Sequence, residues 1–161
     1  MESKKQGLII LAILFCAVAL YLAIRVSTEG DEGRIRRVIY AGVLAVEKGD
    51  ALRCISFVST SYADPYGNDK ASLFKVIMQV FRDFKSFKID IKKIRIETEE
   101  AGGQAEISFK CYFKKPGQDQ FYYDTGRLKV SLRKEEGRWR VNSMEYQGAK
   151  ELESLFSQGV A

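Results

Sequence analysis

Apolar residues follow three successive rhythms along the chain. From Gly7 to Ile24, in GLIILAILFCAVALYLAI, they run on without a single charged residue. From Ile35 to Phe84 they recur every three or four positions, and from Phe87 to Val141 they alternate with polar ones. The first rhythm reads as a helix apolar on every side, the second as amphipathic helices, the third as half-buried strands.

At about 1.5 Å of rise per residue, a helix over Gly7–Ile24 covers about 27 Å, slightly short of a hydrocarbon core of about 30 Å. Flanking residues absorb such a mismatch at small cost. Lys4 and Lys5 precede the run, and the acidic STEGDEG (Ser27–Gly33) follows Arg25. This asymmetry favours a cytoplasmic amino terminus and a main domain outside the cytoplasm, periplasmic if the cell is Gram-negative. A cleaved signal peptide is the rival reading, with Ala17-Val18-Ala19 as its site, but apolar residues continue to Ile24. Cys16 suits a lipoprotein poorly because Phe15 stands where a small residue is needed. The adopted division is a cytoplasmic stub (1–6), a bilayer anchor (7–24), a linker (25–33), one folded domain (34–147) and a tail (148–161).

Within the domain, Ile35, Val38, Ile39, Val43 and Val46 mark a first helix that Asp31 can cap. Gly49 suits its left-handed stop and Asp50 the cap of a short second helix, with Leu52, Ile55 and Val58 on one side. After the corner YADPYGN, Asn68 or Asp69 caps a third helix. Its apolar side holds Leu73, Phe74, Ile77, Met78, Phe81 and Phe84. Phe87, Ile89 and Ile91 then alternate, and the phase slips at Lys92-Lys93 before Ile94 and Ile96, as a β-bulge would make it. Ala105, Ile107, Phe109, Cys111 and Phe113 face inward on the next strand. Leu128, Val130 and Leu132, then Trp139 and Val141, do so on two strands joined at Glu135-Glu136-Gly137. Three helices followed by an antiparallel meander define an α+β domain, in which the helices cover the apolar face of the sheet.

Composition narrows the chemistry. Hydrophobic residues make up 46% of the 161 residues and charged residues 29%, a globular balance. The formal net charge of +5 is partly due to Lys4, Lys5 and Arg25, too mild an excess to argue for nucleic acid. Histidine is absent, which removes Ser-His-Asp and Cys-His relays and histidine-bearing zinc sites. Cysteines 16, 54 and 111 lack the spacing of a metal knuckle, so a metal enzyme is not expected; no cofactor is assigned. Cys54 and Cys111 form either a disulfide or, the preferred reading, two buried thiols.

Two surface features invite function. Lys110 and Lys114 flank Tyr112; Arg127, Lys129 and Arg133 alternate with apolar residues; Arg138 and Arg140 straddle Trp139. Period-two spacing assembles them on one sheet face, suited to an acidic partner, anionic headgroups or phosphate-bearing glycans. The simpler reading is a solvated face diluted by Glu106 and Glu135; either way, unpaired cations disfavour an apolar sheet-to-sheet dimer. The corner is the second feature. Asp64 can bond backbone amides two residues on, Pro65 fixes φ and Gly67 permits a reversal, so a structural turn is preferred there. On that reading Asp64→Asn leaves folding nearly unchanged.

The succession VEKGD, YADPYG and GRWRV, between Asp31 and about Gln147, resembles the nuclear transport factor 2-like superfamily. Ketosteroid isomerase and scytalone dehydratase share this cone-shaped fold. The resemblance implies that the sheet is curved around the helices, with a cavity at the open end. It also aligns Asp64 with the base of ketosteroid isomerases, which removes a proton next to a carbonyl beside an oxyanion hole of a Tyr and a neutral Asp. Tyr40 lies near the matching Tyr position, but Leu128 or Lys129 stands where the neutral Asp is needed. The histidines of scytalone dehydratase have no counterpart. The resemblance places Tyr62, Asp64, Tyr66, Tyr123 and Trp139 at the cavity, with Tyr62 and Tyr123 as a pair on its rim.

Anchored domains of this superfamily serve as assembly or scaffolding parts, including in type IV secretion machines, which the layout resembles in topology. The leading expectation is a membrane-anchored, non-enzymatic domain that binds a protein partner or a small apolar ligand. The alternative is a small cavity isomerase or lyase, with Asp64 as base and Tyr40 or Tyr62 as hydrogen-bond donor.

Overall fold

The structure is a computed structural model that describes residues 30–148. The expected stub, anchor, most of the linker and the tail after 148 lie outside the described residues. Among the described residues, no helix is long and apolar enough to cross a membrane.

Helices α1 (Asp31–Glu47), α2 (Ala51–Ser56) and α3 (Lys70–Asp83) precede strands β1 (Lys85–Thr98), β2 (Gly102–Lys114), β3 (Phe121–Glu135) and β4 (Arg138–Gly148). The strands form one antiparallel meander in the order β1-β2-β3-β4. Local chemistry explains most of the boundaries. Gly49 takes a φ of +65° beyond α1, where a side chain would be strained. Asp50 caps α2 by accepting from the Arg53 amide at 2.9 Å, and Asp69 caps α3 by accepting from Ser72 at 2.8 Å.

Asp31 does not cap α1: Gly30 holds that position and Asp31 lies in the first turn. Its carboxylate instead accepts from Lys134 Nζ at 2.7 Å and from the Trp139 indole at 3.2 Å, tying α1 to the last hairpin. The Lys134 hydrogen bond holds the Asp31 carboxyl below its ordinary range. Two apolar assignments also change. Leu52 is 72% exposed, because α2 has a single turn and a half and turns Ala51 inward. Met78 is exposed while Val76 is buried, so the inner side of α3 is centred on Leu73 and Val76, three residues apart.

In β1, Ile91 pairs with Phe109 and Lys93 with Ser108, which leaves Lys92 bulged out of the ladder. The bulge keeps Ile89, Ile91, Ile94 and Ile96 on the helix-facing side despite the change of phase. Another lies in β4, where Ser143 pairs with Ser131 and Val141 with Leu132, so Asn142 is free to accept from the Ala63 amide. The β3–β4 hairpin closes on Glu136 and Gly137, both with positive φ, the two-residue turn that matches strand twist. Ile35 and Leu73 meet Ala105, Ile107, Val130, Leu132 and Trp139 in the core. A Cβ on Gly103 would lie 2.5 Å from Ile35 Cδ1, so this glycine lets α1 approach the sheet closely.

Cys54 and Cys111 are free thiols. Burial pushes each up to about 11. Since the thiolate is the reacting species, alkylation of the folded chain at pH 8 is expected to run about a hundredfold slower than after denaturation. Following modification by mass spectrometry checks this.

Candidate functional site

The corner between α2 and α3 is closed on itself. The Gly67 amide donates to the Asp64 carbonyl at 3.1 Å, and the Asp64 amide donates to the Asn68 carbonyl at 3.2 Å. Gly67 takes a φ of +84°, the conformation that its lack of a side chain permits. Asp64 Oδ1 accepts from the amides of Tyr66 at 3.0 Å and Asn68 at 2.9 Å. Oδ2 accepts from the Tyr62 hydroxyl at 3.0 Å and from the Asn68 side-chain amide at 3.0 Å. Both carboxylate oxygens therefore face donors of their own turn.

The corner is held on β4 at three points. Ser59 donates its amide to the Val141 carbonyl at 2.8 Å, and Ala63 donates to Asn142. Further along, the Tyr66 hydroxyl donates to the Tyr146 carbonyl at 2.9 Å and accepts from the Tyr146 amide at 3.0 Å. These contacts cover the edge of β4, which would otherwise offer unpaired backbone groups.

The residues expected at a cavity separate. Tyr62, Asp64 and Tyr66 do share the corner. Tyr62 is buried in the core, where desolvation and then the Asp64 charge push its phenol well above the ordinary range. It is a fixed donor rather than a rim residue. Tyr123 is 65% exposed on the opposite face of the sheet, beside Tyr112 with ring centroids 6.3 Å apart. The expected Tyr62–Tyr123 pair is therefore not formed, because alternation along β3 turns Tyr123 away from the helices. Trp139 is 4% exposed, with Lys134 Nζ 5.1 Å from its ring centroid, and is a core side chain rather than a cavity wall. Tyr40 is 49% exposed on α1, and the phenol beside Asp64 belongs to Tyr62. Leu128 faces Ile107 and Tyr146, and Lys129 points to the outer side, so neither completes an oxyanion hole.

The basic residues fare differently. Lys110, Lys114, Arg127, Lys129, Arg133, Arg138 and Arg140 all project from the outer side of the sheet, by register with outward Glu106, Ser108 and Tyr112. The β1 residues Lys93 and Arg95 join them, opposite Ser108 and Glu106. Sequence reasoning located the bulge but missed that it turns Lys93 toward this face. Some of the cations are committed elsewhere: Arg133 donates to Ser61 at 2.9 Å, and Arg140 to the Ser56 carbonyl. Others frame two adjoining concavities, of about 240 Å³ and about 580 Å³, that share Ser108, Arg127 and Gln147. Among the described residues, no cluster of His, Cys, Asp or Glu is placed to hold a metal ion.

No protein-family model and no curated protein matches the chain. Solved structures match its architecture. A nuclear transport factor 2-like superfamily protein from Salmonella enterica serovar Typhimurium aligns at 17% identity over 73% of this chain and 90% of its own, with a TM-score of 0.64. A ketosteroid isomerase-like protein from Erwinia carotovora atroseptica aligns at 15% over 76% and 98%, with a TM-score of 0.63. A protein of unknown function with a cystatin-like fold from Nostoc punctiforme aligns at 12% over 77% and 95%, with a TM-score of 0.60. Likeness at these identities extends to the fold alone. The described domain has the nuclear transport factor 2-like fold, an α+β unit of helices packed on a curved four-stranded antiparallel sheet.

Proposed function

We propose that the chain is a membrane-anchored, non-enzymatic member of this fold, displayed outside the cytoplasm, where it binds a partner as part of an envelope assembly. The observation that carries the non-enzymatic reading is the saturation of Asp64: two amides and an Asn68 side chain from its own turn, plus the Tyr62 phenol, converge on its oxygens. A general base needs an oxygen within hydrogen-bond reach of the substrate proton. The anchor rests on the uncharged run Gly7–Ile24 and its basic leading flank.

One observation favours the alternative, a cavity isomerase: the buried Tyr62 hydroxyl lies 3.0 Å from Asp64 Oδ2, a tyrosine–carboxylate pair at the expected corner. One experiment separates the two. The full chain, purified from membranes in detergent, is expected to leave a β,γ-unsaturated ketone unconverted. Isomerisation that Asp64→Asn abolishes would establish the alternative. Release of the full chain from the membrane pellet by an alkaline wash would refute the anchor.

A further inference from the structure

The outer face of the sheet holds a site that the corner chemistry does not explain. One row across the strands alternates in sign: Arg95, Glu106, Lys129 and Glu145 lie in register. The next row does not follow that pattern. It runs Lys93, Ser108, Arg127 and Gln147, two cations on either side of one hydroxyl and no carboxylate. Neighbouring strands lie about 4.8 Å apart, so the Lys93 and Arg127 backbones flank Ser108 at that spacing.

Ser108, Arg127 and Gln147 of this row line both concavities, and Lys93 lines the smaller one. Lys92, pushed out by the β1 bulge, and Lys110 close one side with the Thr125 hydroxyl; Arg95 and Lys129 close the other. Glu106 is the single carboxylate among these lining residues. Lys92 is satisfied by Asp90 and Arg95 by Glu97. Lys93, Arg127 and Lys129 have no ion-pair partner among the described residues. The apolar lining residues Ile107, Phe109 and Leu128 pack in or against the core on the other side of the sheet.

The geometry points to a binding site for phosphoryl groups, centred on Ser108 and held by Lys93 and Arg127. A phosphate offers two terminal acceptor oxygens and one negative charge as a diester, and three with a higher charge as a monoester or free ion. It matches the guanidinium of Arg127, the ammonium of Lys93, two hydroxyls and an amide that line the concavities, whereas the Lys110 ammonium lies over the Tyr123 ring at 3.9 Å. A peptide carboxylate matches less well: docked peptides draw most of their affinity from buried apolar or aromatic anchors, and the floor around Ser108 offers none. The site is independent of the anchor and of the role of Asp64.

The test uses calorimetric titration of the full chain in detergent at low salt with three probes. These are inorganic pyrophosphate, glycerophosphoglycerol (the soluble headgroup of an anionic lipid) and oligoglutamate. Lys93→Gln/Arg127→Gln is expected to weaken binding of a phosphate probe tenfold or more. The charge-matched Lys48→Gln/Lys75→Gln, just past the end of α1 and on α3, is expected to change it less than twofold. All four side chains are solvent-facing, and circular dichroism verifies that both variants remain folded. Tighter binding of pyrophosphate assigns the site to free phosphate ligands, and tighter binding of glycerophosphoglycerol assigns it to lipid headgroups. Absence of binding by both at millimolar concentration, equal weakening in the two variants, or preference for oligoglutamate would overturn the proposal.

Discussion

Replacing Trp139 with alanine is expected to lower the unfolding free energy of the domain by about 4 kcal/mol, the cost of emptying a large aromatic site in a packed core. The side chain is fixed from several directions. Its ring lies against Gly103, where even a Cβ would approach it to 3.6 Å, and Ile35 Cδ1 packs over the same glycine. Its indole nitrogen donates to Asp31 at the start of α1. Truncation therefore opens a cavity between helix and sheet and removes one of the two hydrogen bonds that tie Asp31 to the β3–β4 hairpin. For a domain of this size the melting temperature falls by roughly 15 °C. Trp139 is the single tryptophan, so circular dichroism during urea unfolding must follow both proteins. Trp139→Phe, which keeps an aromatic ring and loses the donor, is expected to cost about half as much. A loss below about 1 kcal/mol for the alanine variant would mean that the site collapses freely, contrary to the packing described.

Asp64→Ala carries the second-largest effect, about 3 kcal/mol, because it strands several donors at once. Tyr62 and Asn68 are both buried, so neither finds water in place of the carboxylate. Asp64→Asn is milder, at about 1 kcal/mol: its side-chain oxygen still accepts from the Tyr66 and Asn68 amides. Its new NH₂ group, however, faces the Asn68 side-chain NH₂ where Asp64 Oδ2 accepted. The local turn chemistry alone implies a nearly neutral asparagine, and the Tyr62 and Asn68 side-chain partners add the cost. Ranking the two variants by chemical unfolding, with alanine well below asparagine, checks the assignment.

Elements were legible where a local rule acts alone. The stop at Gly49, the caps at Asp50 and Asp69, the bulge at Lys92 and the inward set of β2 all follow from single-residue chemistry or strict alternation. What failed depended on tertiary neighbours. Asp31 is a sound cap by type, but the indole of Trp139 and the ammonium of Lys134, both from the distant β3–β4 hairpin, claim its carboxylate. Leu52 is apolar by type, yet α2 is too short to bury a second side. The candidate site divides along the same line. Tyr62 and Asp64 are two residues apart, so their meeting was readable; Tyr123 and Trp139 joined them only through an assumed cavity, and the sheet sends one outside and the other into the core. Lys93 and Arg95 escaped notice because which way a residue points after a bulge depends on where the ladder resumes.

Amide hydrogen exchange at Tyr66 and Asn68 in the full chain tests most directly whether Asp64 holds the turn or faces a substrate. With the carboxylate bonded to both amides, each is expected to exchange slowly in the wild type. In Asp64→Ala both are expected to lose protection while the β2 and β3 amides keep theirs. Rapid exchange of the two amides in the wild type, or protection unchanged in Asp64→Ala, would show that the carboxylate is not engaged by its own turn and would restore it as a candidate base.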